Sequence, residues 1–196
     1  TVVEVLDYSR SIENELDDIL KSEEIVNKLQ SELDNLNTGL LKSAQSINAE
    51  RRKAAEILEN KIGEELDDLE MKRSRFKVNI EFDDSIDENG DKKYLHTGLD
   101  RVEFLISPNV GEPLKPLAKI ASGGEMSRIM LAIKTILANV DSIPVLIFDE
   151  IDTGISGKAA QKVGEKLSFL SKGHQVVCVT HLAQIGCMAD NHYLIE

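Results

Sequence analysis

The feature that most constrains this chain is a long N-terminal stretch without proline. Residues 1–75 contain no proline, only two glycines, and many Glu, Asp, Lys and Leu residues. Such a composition favours one long helix, because proline would break the backbone hydrogen bonding. Apolar residues recur at spacings of three and four in two seams: Ile12, Leu16, Ile19 and Val26, then Leu29, Leu33, Leu36, Leu40, Ile47, Ala54 and Ile57. A narrow apolar stripe needs a partner helix, so we predict a coiled-coil arm over 1–75 that can bend at 37–39.

The composition changes after the arm, since all four prolines lie in residues 76–196. Apolar residues alternate with polar ones in two segments that we predict as strands: Phe76, Val78, Ile80 and Phe82, then Val102, Phe104 and Ile106. The acidic segment 83–91 between them is partly similar to a calcium-binding loop. His96 stands where such a loop needs a bidentate Glu, so we predict a hairpin loop instead.

The C-terminal part of the chain has an α/β pattern. A helical face is formed by Met126, Ile129, Met130, Ile133, Ile136 and Leu137, and a second helix is predicted over 158–170. The segments 145–148 and 176–179 are apolar throughout, as in parallel strands that are covered on both faces. We predict a further strand at 192–195.

Net charge and cysteine content limit the possible functions. The net charge of −12 excludes a uniformly basic nucleic-acid binder, and the chain has no apolar run long enough to span a membrane. Cys178 and Cys187 match no metal-binding spacing, so we expect two partly buried thiols in a reducing cytosol. Because the chain begins at Thr1 and stops at Glu196 after an apolar stretch, we expect it to be a segment of a longer protein.

Two adjacent carboxylates, Asp149 and Glu150, directly follow the apolar segment 145–148. Ligands of α/β proteins bind at the carboxyl edge of a parallel sheet. Neighbouring strand residues point to opposite faces, so the two carboxylates can have different tasks. One would face Mg²⁺ and the other a water molecule, although strands also end in acidic residues for solvation alone.

A Ser-Gly-Gly-Glu motif at 122–125 stands directly before the predicted helix. Ser122 is a suitable N-cap, and Glu125 completes a capping box, which is a purely structural explanation. A capping box does not need two glycines, however. Glycines let backbone N–H groups approach an anion closely, so the motif also predicts a phosphate contact.

His181 follows the second apolar strand and is expected at the same sheet edge as Asp149. A histidine there can donate to a phosphate oxygen or orient a water molecule, or it can be a structural hydrogen-bond partner. Residues 152–157 form a tight connection before the next helix. Gly154 to Lys158 fits neither a phosphate loop nor a serine-hydrolase elbow, so we predict no nucleophilic role for Ser156.

Taken in chain order, these motifs resemble the C-terminal half of an ABC-type ATPase head. The arm indicates the SMC-like branch. The segments ASGGEMSR (121–128), FDEIDTGISG (148–157) and VTHL (179–182) are similar to those of the RecN family of bacterial DNA-repair proteins. The resemblance implies an α/β head half over 76–196, with a mixed sheet and flanking helices, preceded by the coiled-coil arm over 1–75.

The resemblance also implies a role for each site residue. The ABC signature, which binds ATP in trans, would be Ser122, Gly123, Gly124 and Glu125. Asp149 would be the Walker B residue that holds Mg²⁺ through water, Glu150 the catalytic base, and His181 the catalytic switch histidine. The D-loop would comprise Asp152, Thr153, Gly154, Ile155 and Ser156. Two residues depart from the common pattern: Ala121 replaces the leucine before the signature, and Ser156 replaces the D-loop aspartate.

The 196 residues contain no G-x-x-x-x-G-K-[ST] phosphate loop. In families of this type the loop lies in the N-terminal half, so the chain alone is expected to be inactive. The implied cofactors are ATP and Mg²⁺. The implied partners are the N-terminal half of the same head, a second head in an ATP-dependent homodimer and double-stranded DNA, with no membrane. The implied location is the bacterial cytoplasm, associated with the nucleoid.

Two other functions stay open at this point. A nucleotide-binding subunit of a transporter would need no long arm, and a structural coiled-coil protein would need neither Asp149, Glu150 nor His181. Any DNA-binding patch must be local. One candidate is the group Lys72, Arg73 and Arg75 near the end of the arm, although these cations can equally be solvated or cap the helix.

Overall fold

The computed structural model describes residues 2–83, 85–86, 92–109, 111–138 and 140–194. The chain divides into two compact units. One comprises Thr1–Ala49 and Asp84–Leu99, and the other comprises Glu50–Asp83 and Asp100–Glu196. All predicted site residues lie in the second unit. Within the described ranges, no helix has both the length and the apolar character needed to cross a membrane.

Helix α1 spans Val2–Asp68 and confirms the long N-terminal helix. It continues through residues 37–39, where Thr38 donates its hydroxyl to the carbonyl oxygen of Asp34 at 2.8 Å. Every seam residue of the first unit is exposed: Ile12, Leu16, Ile19, Val26, Leu29, Leu33, Leu36, Leu40 and Ile47. The apolar stripe predicted from the sequence is therefore open to a partner helix.

The end of α1 lies earlier than the predicted residue 75. Glu70 has a left-handed backbone with φ of 59°, and the N–H of Met71 donates to the carbonyl oxygen of Leu66 at 2.8 Å. This closing hydrogen bond and the reversed backbone are the usual termination of a helix. A turn then leads into the first strand.

The last turns of α1 belong to the second unit and are part of its hydrophobic core. Ile62, Leu66 and Leu69 are almost completely buried. The ammonium group of Lys166 lies 2.5 Å from a carboxylate oxygen of Glu65, and it also pairs with Asp68. Apolar burial and these ion pairs attach the helix to the α/β part of the unit.

An antiparallel sheet confirms the predicted hairpin. Strand β1 (Arg75–Phe82) pairs with β2 (Asp100–Ser107) in a register that places Phe76 opposite Ile106. Strand β3 (Lys115–Pro116) pairs with β2 and extends this sheet, and a 3₁₀ turn (Leu117–Lys119) follows it. The sequence pattern predicts neither element. The calcium-loop positions Asp87, Asn89 and Gly90 lie outside the described residues.

The α/β part follows the predicted order closely. It consists of α2 (Gly123–Leu137), β4 (Val145–Phe148), α3 (Lys158–Leu170), β5 (Gln175–Cys178) and a short helix, α4 (Ala183–Gly186). Strands β4 and β5 are parallel, as predicted. In the described residues, the strands form two separate sheets rather than one mixed sheet. Strands β1, β2 and β3 form the antiparallel sheet, and β4 and β5 form the parallel sheet.

Two predictions for this part are wrong. The parallel strands are not covered on both faces: Leu146 and Phe148 are buried in the core, but Ile147 on the opposite face is 72% exposed. Residues 192–194 are irregular rather than a strand, since their backbone pairs with no strand in the part of the chain that the structure describes, and Ile195 of the predicted strand lies outside that part. Tyr193 is almost fully exposed there.

Candidate functional site

The candidate site lies at the carboxyl edge of the parallel sheet. The register pairs Phe148 with Cys178, so both strands end at the same level. The N–H of Val179 continues the ladder by donating to the carbonyl oxygen of Phe148 at 2.9 Å. The chain therefore leaves the sheet toward Asp149 from one strand and toward His181 from the other, as the sequence predicts.

Asp149 and Glu150 begin the connection after β4. One carboxylate oxygen of Asp149 accepts the N–H of Glu150 at 2.8 Å. Glu150 has a left-handed backbone with φ of 55°. The strand has already ended at Phe148, so the predicted alternation of the two side chains across the sheet does not apply. The turn, not the pleat, orients Glu150.

The Ser-Gly-Gly-Glu motif begins α2 as predicted. Ser122 has an extended backbone, and its hydroxyl accepts the N–H of Glu125 at 3.4 Å, which is the N-cap contact. An added Cβ on Gly123 would lie 2.1 Å from a carboxylate oxygen of Glu150. On Gly124 it would lie 3.0 Å from the carbonyl oxygen of Glu150 and from the Cβ of Thr153. A Cβ at Gly123 would displace the end of the Glu150 side chain, and one at Gly124 would be tight against the backbone of Glu150, so both positions favour glycine.

Asp152 joins the two strand ends. Its side chain is 4% exposed, and Oδ2 accepts the hydroxyl of Thr180 at 2.5 Å and the N–H of His181 at 2.9 Å. Burial, the largest single effect, opposes ionisation. The hydrogen bonds from Thr180 and His181 outweigh burial and lower the pKa of Asp152 below its ordinary range.

The imidazole of His181 is held on one side only. Its Nδ1 lies 3.0 Å from Oδ2 of Asp152, while the side chain is 75% exposed. A proton on Nδ1 would be donated to Asp152, which would leave Nε2 as an acceptor toward solvent. In this arrangement His181 can orient a water molecule or, when protonated, donate to an anion.

The connection from Asp152 to α3 is tight, as predicted. Gly154 and Gly157 have positive φ values of 75° and 56°, which favour glycine. Ser156 lines an open cleft of about 390 Å³, together with Leu69, Glu70, Met71, Arg128, Gly154, Ile155, Lys158 and Ala159.

Magnesium ligation can be assessed from the donor set. Within the described ranges, no three His, Cys, Asp or Glu side chains are grouped as a metal cluster. Mg²⁺ in phosphate-binding sites is commonly held by one or two carboxylates, water and substrate oxygens. The exposed carboxylate of Asp149 at the sheet edge is a single donor of that kind.

The sequence analysis did not identify two residues of α2 that contact the segment 149–153. Ser127 donates its hydroxyl to the carbonyl oxygen of Asp149 at 2.7 Å. Arg128 donates from Nη1 to the carbonyl oxygens of Ile151 and Thr153. The sequence does contain a signal for Arg128, because this residue lies next to the apolar face of the predicted helix. An arginine at such a position needs a specific hydrogen-bond partner.

The two cysteines differ in their surroundings. Cys178 is half-buried at the end of β5, whereas Cys187 is exposed, so the prediction of two partly buried thiols is wrong for Cys187. Burial, with Asp152 and Asp149 nearby, raises the pKa of the Cys178 thiol to about 11. Cys178 is therefore a weak nucleophile at neutral pH.

Sequence comparison identifies the relatives of the chain. It is 42% identical over 193 residues to the DNA repair protein RecN of Halalkalibacterium halodurans, which covers 98% of this chain and 33% of that protein. It is 41% identical to RecN of Bacillus subtilis, over 100% of this chain and 35% of that protein. RecN of Treponema pallidum is also 41% identical, over 100% and 34%.

The chain is similar to RecN proteins over its full length. The chain spans about a third of the length of these RecN relatives. No family model matches it. In two of these relatives the aligned region covers the entire chain, so it includes the Ser-Gly-Gly-Glu turn, the two carboxylates after β4 and His181.

Solved structures of Smc heads are also similar. The Smc head domain with an extended coiled coil from Pyrococcus furiosus matches with a TM-score of 0.47 and 20% identity, over 71% of this chain and 31% of that one. The head with a coiled coil and joint from Pyrococcus yayanosii has a TM-score of 0.48 and 19% identity, over 71% and 24%. The fold assignment of this chain rests on its own helices and strands.

Proposed function

We propose that this chain supplies part of a composite ATP site in an SMC-like ATPase of DNA double-strand break repair. The main support is the Asp152 carboxylate, which binds both Thr180 and His181 and so holds the ends of β4 and β5 together. That contact gathers Asp149, Glu150 and His181 at one sheet edge. The relatives' name, DNA repair protein RecN, supports the repair context.

Each residue then has a defined task. Asp149 would hold Mg²⁺ through water, and the ion would neutralise phosphate charge. Glu150 would accept a proton from the attacking water, and Nε2 of His181 would contact the terminal phosphate or that water. The turn at 122–125 would bind ATP held by a second head, and the D-loop at 152–156 would lie at the contact between the two heads.

The remainder of the site would come from the N-terminal part of the same protein. A helix N-terminus contributes about 0.3–2 kcal/mol to anion binding, whereas millimolar affinity already requires about 4 kcal/mol. The turn at 122–125 alone would therefore bind ATP negligibly, and the chain alone would be inactive. Val145, Ile147, Val177 and Val179 form an exposed apolar sheet face, which suits coverage by that N-terminal part.

The exposed stripe of α1 suits pairing with a second helix. We assign residues 1–75 to a coiled-coil arm and 76–196 to the head half. On ATP binding two heads would form a homodimer, and the arms would transmit its opening to double-stranded DNA. Bacterial cytoplasm with nucleoid association, and no membrane partner, is the setting that this function requires.

The test is the steady-state Mg-ATP turnover of the full-length protein, measured with and without linear duplex DNA. Turnover that rises with DNA supports the repair ATPase. Turnover that ignores DNA keeps the ATP chemistry but contradicts the DNA partner. Absence of turnover under both conditions contradicts the ATPase itself.

A further inference from the structure

The backbone at Glu150 is strained. Glu150 is one of two non-glycine residues with positive φ among the described residues, at 55°. A side chain with a Cβ is disfavoured in this region, so the conformation persists only where the surroundings hold it. The groups that hold this turn therefore determine where the Glu150 carboxylate points.

The first turns of α2 supply three hydrogen bonds to this segment. Ser127 Oγ binds the carbonyl oxygen of Asp149 at 2.7 Å. Arg128 Nη1 binds the carbonyl oxygens of Ile151 at 3.3 Å and Thr153 at 2.8 Å. Three alternate carbonyl groups of the segment 149–153 are thus bound by two neighbouring side chains of one helix.

Arg128 is in an unusual environment for a cation. The residue is 7% exposed, and its Nε has no hydrogen-bond partner among the described residues. Burial lowers the pKa of Arg128, while Glu125 one turn earlier raises it. A guanidinium still remains charged, and a charged donor binds carbonyl oxygens more strongly than a neutral one. An apolar side chain could fill the volume but could not bind the segment.

We propose that Arg128, assisted by Ser127, is a positioning residue that holds the turn of Glu150 and couples it to the Ser-Gly-Gly-Glu turn of the same chain. The coupling is direct, because Arg128 lies one helical turn after Glu125, and Gly123 and Gly124 pack against Glu150. Movement of α2 when the second head delivers its ATP would therefore move the catalytic base. This inference rests on the proposed function.

The test uses Arg128→Met in the full-length protein, with Lys134→Met as the matched control. Lys134 is also a largely buried cation of α2, but its ion pair is with Asp141, outside the segment 149–153. Arg128→Met is expected to lower kcat about 10–100-fold, since small misplacements of catalytic groups have effects of this size. The KM for ATP and ATP-driven head pairing should change less than about twofold.

Arg128→Lys restores one cationic donor and is expected to recover part of the kcat, whereas Lys134→Met should leave kcat at the wild-type level. If Arg128→Met fails to fold, Ser127→Ala is the alternative variant. It removes only one hydroxyl and should also lower kcat. A kcat for Arg128→Met equal to that of Lys134→Met would overturn the proposal.

Amide hydrogen exchange of residues 149–153 gives a readout that does not depend on activity. Faster exchange there in Arg128→Met than in Lys134→Met is expected even if the wild-type protein hydrolyses no ATP. Absence of ATP turnover in the wild-type protein would thus contradict only the proposed function. Unchanged exchange in the segment would contradict the positioning role alone.

Discussion

The buried carboxylate of Asp152 lies 3.0 Å from Nδ1 of His181 and accepts the main-chain N–H of the same residue at 2.9 Å. One carboxylate thus fixes both the backbone and the ring of the candidate switch histidine. The hydroxyl of Thr180 donates a hydrogen bond to the same carboxylate oxygen. Replacement of this carboxylate has consequences that can be measured without nucleotide.

Asp152→Asn keeps the shape of the side chain but removes its charge. We expect a loss of about 1–3 kcal/mol in the free energy of unfolding at pH 7, because charge-assisted hydrogen bonds are lost. The folded pKa of Asp152 is lowered, so its stabilising effect is complete above the unfolded value of about 3.9 and disappears as pH falls through the folded value. Urea unfolding between pH 3 and 7 should show the two proteins converging at low pH. A constant difference across this range would contradict the assignment.

Glu150→Gln in the full-length protein should lower kcat by about 10²–10⁴-fold, because the amide cannot accept the proton of the attacking water. ATP-dependent head pairing should persist, since the substitution keeps the size of the side chain. The matched control is Glu165→Gln on α3, where the carboxylate pairs with Lys162. Steady-state hydrolysis and gel filtration with ATP measure the two effects. Near-wild-type turnover in Glu150→Gln would remove this residue from the role of base.

Ser122→Arg should leave ATP binding to the isolated complete head unchanged and block head pairing, because a large cation would occupy the proposed trans contact. The substitution also removes the N-cap of α2, which is worth about 0.5–2 kcal/mol. Ser122→Ala removes the cap without adding bulk and is the control. Gel filtration with ATP should show pairing for Ser122→Ala and none for Ser122→Arg. Equal pairing of both variants would mean that this turn does not contact the second head.

Lys166→Met should destabilise the protein by about 1–3 kcal/mol, because it leaves the largely buried Glu65 without its cationic partner. Lys162→Met is the control. Lys162 pairs with Glu165 at the protein surface, where ion pairs contribute little. Urea unfolding measures the free energy of unfolding of the two variants. An equal effect of both substitutions would show that the contact between α1 and α3 is not energetically distinct.

Several elements are predictable from local sequence. The long helix, the hairpin strands and the α/β order follow from periodicity, which records only which face of an element is apolar. The observed bounds of β4 and α3 are those predicted, because Pro144, Asp149 and Gly157 flank the two elements. Local patterns cannot show what covers an apolar face, so the exposure of Ile147 was not predictable.

The candidate site also has features that the sequence predicts and features that depend on the tertiary structure. Residue type and order along the chain determined that Asp149, Glu150 and His181 would meet at one edge, because parallel strands end on the same side of a sheet. Only the tertiary structure decided that Glu150 takes a left-handed turn held by Ser127 and Arg128. The reason is physical: a strained backbone depends on hydrogen bonds between residues more than twenty positions apart, and no local pattern in the sequence records such bonds.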